Sequence, residues 1–265
     1  MKKVFAIAAH LDDIEFMMAG TMILLKEAGC ELYYMNLANG SCGTTEYDVP
    51  EIVRMRTAEA QNAASMIGAN FIAPLVNDVE ILYTMPLLRK LTAIIRKVAP
   101  DILLIPSPQD YMEDHSNTSR LAVTAAFCRG MRNCATEPVQ PPIQKNMTLY
   151  HALPYGLRDG LGKLIRPGHY VDISTNMSLK RQMLAMHKSQ KEWLDKSQGL
   201  DAYLDTMQEM CADVGKMSGR FEFAEGWRRH LHLGFCEKED DPLMEILKEK
   251  VFFDPVYQKE LGDIS

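Results

Sequence analysis

Residues 3–30 read KVFAIAAHLDDIEFMMAGTMILLKEAGC, and the fold turns on how this stretch divides. KVFAIAA is short and apolar, as a buried strand is, whereas from Asp12 onward the apolar residues recur at helical spacing until Gly29 supplies a C-cap. The junction between them carries His10, Asp12, Asp13 and Glu15. Burying such groups without partners costs several kcal/mol each, so hydrogen bonds or a metal ion must compensate them.

The same alternation continues outward from this unit. CELYYMNLANG reads as a second strand, PEIVRMRTAEAQNAASMIGA as a helix opening near Pro50 and stopping at Gly68, and NFIAPLV as a third strand. TMPLLRKLTAIIRKVAP is a helix with Pro86 near its first turn, DILLIPSP a buried strand, and SNTSRLAVTAAFCRGM a helix starting after a polar cap. Alternation over residues 3–131 predicts an α/β fold: a Rossmann-like three-layer α/β/α core with a mostly parallel sheet and right-handed crossovers. Residues 132–265 are expected to elaborate this core within a single domain. There, 135–168 is loop-rich around a strand-like MTLYHAL, STNMSLKRQMLAMHKSQKEWL reads as one long amphipathic helix, and a shorter helix covers part of 200–217. FEFAEGWRRHLHL is ambiguous between strand and helix.

The 265 residues are 47% hydrophobic with a net charge of −6, and Lys and Arg do not cluster, which argues against a nucleic-acid partner. The six cysteines form no CxxC pair and read as reduced thiols. Neither a long signal-peptide core nor a run of roughly 20 apolar residues is present, so the expectation is a cytoplasmic protein without a membrane span.

The turn after the first strand lacks the glycines of a dinucleotide site, and neither a phosphate loop nor a GxSxG elbow occurs. In an open α/β sheet, ligands bind beyond the C-terminal strand ends where strand order reverses, usually between the first and fourth strands. His10, Asp12 and Asp13 follow the first strand, and IPSPQDYMEDHSNTS brings Asp110, Asp114 and His115 after the fourth. Taken alone, Asp12 or Asp13 could cap a helix and His115 could be a loop histidine. Together, two imidazoles and one carboxylate leave an open position, as catalytic zinc sites do. Adjacent Asp12 and Asp13 point in different directions, so one can bind metal while the other accepts the proton of a metal-bound water.

AAHLDDIEF with the later DYMEDHSNTSRL resembles the LmbE-like, or PIG-L, zinc-dependent N-deacetylases. The resemblance extends through the glycine-containing NGSCGTT, an RxxExxxA helix (Arg56, Glu59, Ala63), Lys180, an HxSQ ending (His187, Ser189, Gln190) and FAEGWR, covering residues 3 to about 230. It implies that His10, Asp13 and His115 bind one zinc per chain, that Asp12 is the general base, and that Arg56 lies near polar groups of the substrate. Asp114, Tyr111 and His187 are further substrate-side candidates. The implied reaction removes an N-acetyl group, typically from a glucosamine-type sugar, and relatives often self-associate.

Two positions depart from the family pattern. Leu11 replaces a proline, and Met112 stands where many members have a histidine thought to stabilise the tetrahedral oxyanion. Methionine donates no hydrogen bond, so another group (Tyr111, His151 or His187) must do so, or the protein is a sugar-binding member with little turnover. Hydrolysis of a different amide is the remaining alternative. Glu15 has an ordinary use at a helix start, where the dipole favours it. His230 and His232 read as packing residues, and Met17, Met18, Met183 and Met186 as core.

Overall fold

The computed structural model describes residues 1–198 and 202–262. In chain order the elements are β1 (Lys3–Ala8), α1 (Asp13–Met17), α2 (Ala19–Glu27), β2 (Glu31–Asn36), α3 (Val49–Met66), β3 (Asn70–Ile72), α4 (Met85–Val98), β4 (Ile102–Ile105) and α5 (Glu113–Phe127). They continue with β5 (Thr148–Ala152), β6 (His169–Asp172), α6 (Met177–Leu184), α7 (Lys188–Gln198), α8 (Ala202–Ser218), β7 (Ala224–Arg229), α9 (Pro242–Leu247), β8 (Val251–Phe253) and α10 (Pro255–Glu260). The strands form one sheet in the order β3-β2-β1-β4-β5-β7-β6-β8. Pairings from β3 through β5 are parallel, and those that add β7, β6 and β8 are antiparallel.

Alternation along β1 explains its apolar sequence. Val4, Ala6 and Ala8 join the core formed with α2, α6 and α8, while Phe5, Ile7 and Ala9 join the one formed with α4 and α5. A strand covered on both faces has no polar side to display. The chain leaves β1 toward β2 and β3 and then returns to β4 on the other side, so strand order reverses between β1 and β4. That reversal opens a crevice at their C-terminal ends.

Three helices differ from the sequence expectation, two of them for a long-range reason. The helix after β1 is broken at Met18, because Glu225 on β7 accepts hydrogen bonds from the Gly20 and Thr21 amides at 2.8 and 2.7 Å and from Thr21 Oγ1 at 2.6 Å. A carboxylate there satisfies the orphan donors and the positive dipole end of α2. The long helix over 174–194 is split into α6 and α7, since Glu59 on α3 accepts from Ser189 N and Oγ and starts α7 anew. Finally, α5 begins at Glu113, ahead of the polar cap, with Glu113 and Asp114 in its favourable first turn. The ambiguous FEFAEGWRRHLHL contains a strand, β7. The helix expected over part of 200–217 is α8, and residues 200 and 201 lie outside those described. Among the described residues, no helix is long and apolar enough to cross a membrane.

Candidate metal centre and its cavity

The turn from β1 into α1 is strained and tightly held. Asp12 has a φ of 136°, a region that residues with a Cβ rarely occupy and that costs about 1–3 kcal/mol. Its neighbours are fastened on both sides: Asn36 Nδ2 donates to the His10 carbonyl, Arg56 Nη2 donates to the Leu11 carbonyl at 2.6 Å, and Asp13 Oδ2 accepts from the Ala9 and His10 amides at 3.1 and 2.8 Å. Leu11, in place of proline, is fully buried in the core. Arg56 reaches this turn past the loop after β2, where a Cβ on Gly43 would collide with Arg56 Nη1 and one on Gly40 would lie 2.7 Å from Arg56 Cδ. The glycines of NGSCG therefore make room for a guanidinium.

His10, Asp13 and His115 converge in the crevice. His10 Nδ1 and His115 Nε2 are 3.3 Å apart, and Asp13 Oδ2 lies 3.4 Å from His115 Nε2 and 3.7 Å from His10 Nδ1. Tetrahedral ligands at metal distances of 2.0–2.2 Å stand about 3.3–3.6 Å from one another, so these three donor atoms fit a divalent metal. The far nitrogens are equally ordered: His10 Nε2 faces Asp114 Oδ2 at 3.0 Å and His115 Nδ1 faces Asp110 Oδ2 at 3.0 Å. With a proton on each far nitrogen, the near one presents its lone pair, which is how carboxylates orient metal-binding histidines. Val79 N also donates to Asp114 at 2.7 Å and locks it in place.

Charge balance follows from these contacts. Burial pulls His115 toward neutrality, but Asp13 and Asp110 outweigh it and hold its basicity well above the usual range. Burial would likewise raise the Asp13 carboxyl, yet the His115 charge and hydrogen bonds from His115 and His10 hold it low. Asp12 differs from its neighbour. It occupies the N-cap position of α1 without making a cap bond, and its Oδ2 accepts from Tyr203 at 2.7 Å and lies 3.6 Å from Arg56 Nη2. Burial raises its pKa, and the Arg56 charge and the Tyr203 hydrogen bond only partly offset this.

A cavity of about 430 Å³ opens over the centre, and His10, Asp12, Asp13, Arg56, Tyr111 and His115 all line it. Asp114 and His187 do not. Asp114 is spent on His10 and Val79, and His187 is fully buried in the break between α6 and α7, 3.3 Å from Glu15. Glu15 is itself sealed and accepts from Tyr34, so it braces the floor of the site. His151 is also remote, tied to the Pro106 carbonyl and to His230 at 2.9 Å each. Sequence reasoning missed Asp78, whose carboxylate accepts from the Gly40 and Cys42 amides and shapes the rim, and Tyr203, which arrives from α8. Asp78 sits in an unpatterned loop, and nothing in the helical period marks Tyr203 out from a core residue.

Comparison with known proteins gives the chain a family. The family described as PIG-L, GlcNAc-PI de-N-acetylase, matches residues 5–126. A diacetylchitobiose deacetylase from Thermococcus kodakarensis is 30% identical over 235 residues, covering 86% of this chain and 83% of that protein. Among solved structures, N,N'-diacetylchitobiose deacetylase from Pyrococcus horikoshii superposes with a TM-score of 0.73 at 24% identity, over 88% of this chain and 85% of that one. A 4-carboxy-2-hydroxymuconate hydratase from Pseudomonas putida gives 0.72 at 19% identity, over 91% and 99%, so the same fold carries a second chemistry there. The convergent triad, the sheet that places it and the relative that spans most of its length show that this chain belongs to the PIG-L, or LmbE-like, family of deacetylases.

Proposed function

We propose that this protein hydrolyses the N-acetyl group of an amino sugar or sugar conjugate, with zinc held by His10, Asp13 and His115 and with Asp12 as general base. The observation that carries the reading is the division of labour at residues 12 and 13: one carboxylate joins two imidazoles while the other faces the same cavity without doing so. A bound zinc ion would supply Lewis acidity, easing deprotonation of water and polarising the amide carbonyl. Asp12, raised toward the working range of a base, takes the proton of the attacking water and returns it to the departing amine. Tyr203 and Arg56 keep that carboxylate aimed, and Arg56 acts through Asp12 and the Leu11 carbonyl. Tyr111, Tyr155 and Trp193 on the wall offer flat apolar surfaces suited to a sugar ring.

Metal-loaded protein should release acetate from at least one of N-acetylglucosamine, N,N'-diacetylchitobiose and N-acetylglucosaminides with larger aglycones. Asp12→Asn should retain its metal while kcat falls by about 10²–10⁴-fold. Release of no acetate from the whole series would sink the reading. Met112 favours a second one, since it lines the cavity and cannot donate a hydrogen bond: a site that holds the sugar without cleaving it. Saturable sugar binding without acetate release would establish that alternative.

A further inference from the structure

We propose that the Tyr111 hydroxyl supplies the hydrogen bond to the developing oxyanion that Met112 cannot give. The inference rests on the deacetylase reading above and concerns one atom of its cavity wall. Of the three side chains the sequence offered for this task, two are engaged elsewhere. His151 is held by the Pro106 carbonyl and His230, and His187 lies sealed beneath the site beside Glu15. Tyr203, the other phenol next to the catalytic carboxylates, already donates to Asp12.

Tyr111 is placed differently. It lines the cavity, is 53% exposed, and meets the His115 imidazole in a T-shaped contact with centroids 6.2 Å apart. Its hydroxyl makes no hydrogen bond to the described residues, so its donor is free for a ligand. The backbone that presents it is fixed by Asp110, whose Oδ1 accepts from the Met112 amide at 3.0 Å while its Oδ2 faces His115. One carboxylate therefore sets both a metal-ligating ring and the turn that displays Tyr111. Tyr155 packs against the Tyr111 ring, with centroids 6.3 Å apart.

In the reaction, the water oxygen bonds to the acetamide carbon and the carbonyl π pair moves onto oxygen. Tyr111 donates to that oxygen, keeping its own proton, while Asp12 holds the proton from water. Collapse re-forms the C=O bond, breaks C–N, and sends the Asp12 proton to the amine. A single preorganised donor of this kind contributes about 10²–10³-fold to kcat.

Tyr111→Phe keeps the ring and removes only the donor. On N,N'-diacetylchitobiose it should lower kcat by about 100-fold with KM and metal content unchanged, and Met112→His added to it should recover at least about tenfold. A kcat within about threefold of the parent, or a loss confined to KM, would overturn the inference and leave Tyr111 as a stacking surface. Calorimetry with methylphosphonate, a tetrahedral anion that needs no turnover, gives the second readout: zinc-loaded Tyr111→Phe should bind it at least about tenfold more weakly than the parent. Equal affinity, or no binding by either protein, counts against the donor. Tyr111-dependent binding without acetate release from any sugar would overturn the deacetylase reading alone.

Discussion

Two clusters of buried charge lie under the same sheet, and they differ in where their valences end. Lys180 and Glu225 are 0% and 2% exposed in their side chains, and they close on each other. Lys180 also donates to the Phe16 carbonyl, and Glu225 takes two amides and a hydroxyl from the start of α2. His10, Asp13 and His115 form the other cluster. The outer nitrogens of the two histidines face Asp114 and Asp110, Asp13 Oδ2 accepts from two backbone amides, and that oxygen and the two inner nitrogens lie within 3.3–3.7 Å of one another. The first is complete within the protein and fixes a helix break, whereas the second turns three donor atoms toward one point and fits a divalent cation. Burial of charge alone is thus no sign of a site; convergence of lone pairs, each held from behind, is the sign.

The comparison breaks most visibly if the open cluster loses a ligand. Asp13→Ala or His115→Ala should abolish stoichiometric metal binding, measured by elemental analysis after gel filtration, and acetate release should fall more than about 1,000-fold. Metal retained by both variants would remove the centre as assigned. In the closed cluster the effect should appear as stability. Lys180→Met leaves Glu225 buried without its counter-ion and should cost about 3–5 kcal/mol in denaturant unfolding, while the folded fraction keeps its metal. Metal loss in folded Lys180→Met would show that the clusters are coupled.

The closed cluster also marks where sequence reading ran out. The parallel half of the sheet was legible because each strand there is a short apolar run between helical periods, and the convergence of His10, Asp13 and His115 was legible because they sit in two short segments at a strand-order reversal. Glu225 and Glu59 act over 205 and 130 residues to break helices that look continuous in sequence. Local periodicity contains no trace of a cap delivered from so far away. Met112 illustrates the opposite limit: its substitution was visible at once, but that Tyr111, and neither His151 nor His187, keeps a free donor beside His115 depended on the tertiary partners of all three.

A smaller change sharpens the same contrast from behind the ligands. Asp114 touches no metal, yet it holds His10 Nε2 at 3.0 Å, and Val79 holds Asp114 in turn. Asparagine can keep one acceptor toward His10 but not the negative charge that strengthens the imidazole as a ligand. Asp114→Asn should therefore weaken zinc affinity by about tenfold and Asp114→Ala by about 100-fold in chelator competition. Both proteins should stay folded, because Glu113 remains in the first turn of α5 to face the positive end of the helix dipole when the Asp114 charge is removed. Unchanged affinity in both variants would mean that Asp114 serves α5 rather than the metal, and would leave Asp110 as the one carboxylate orienting a ligand.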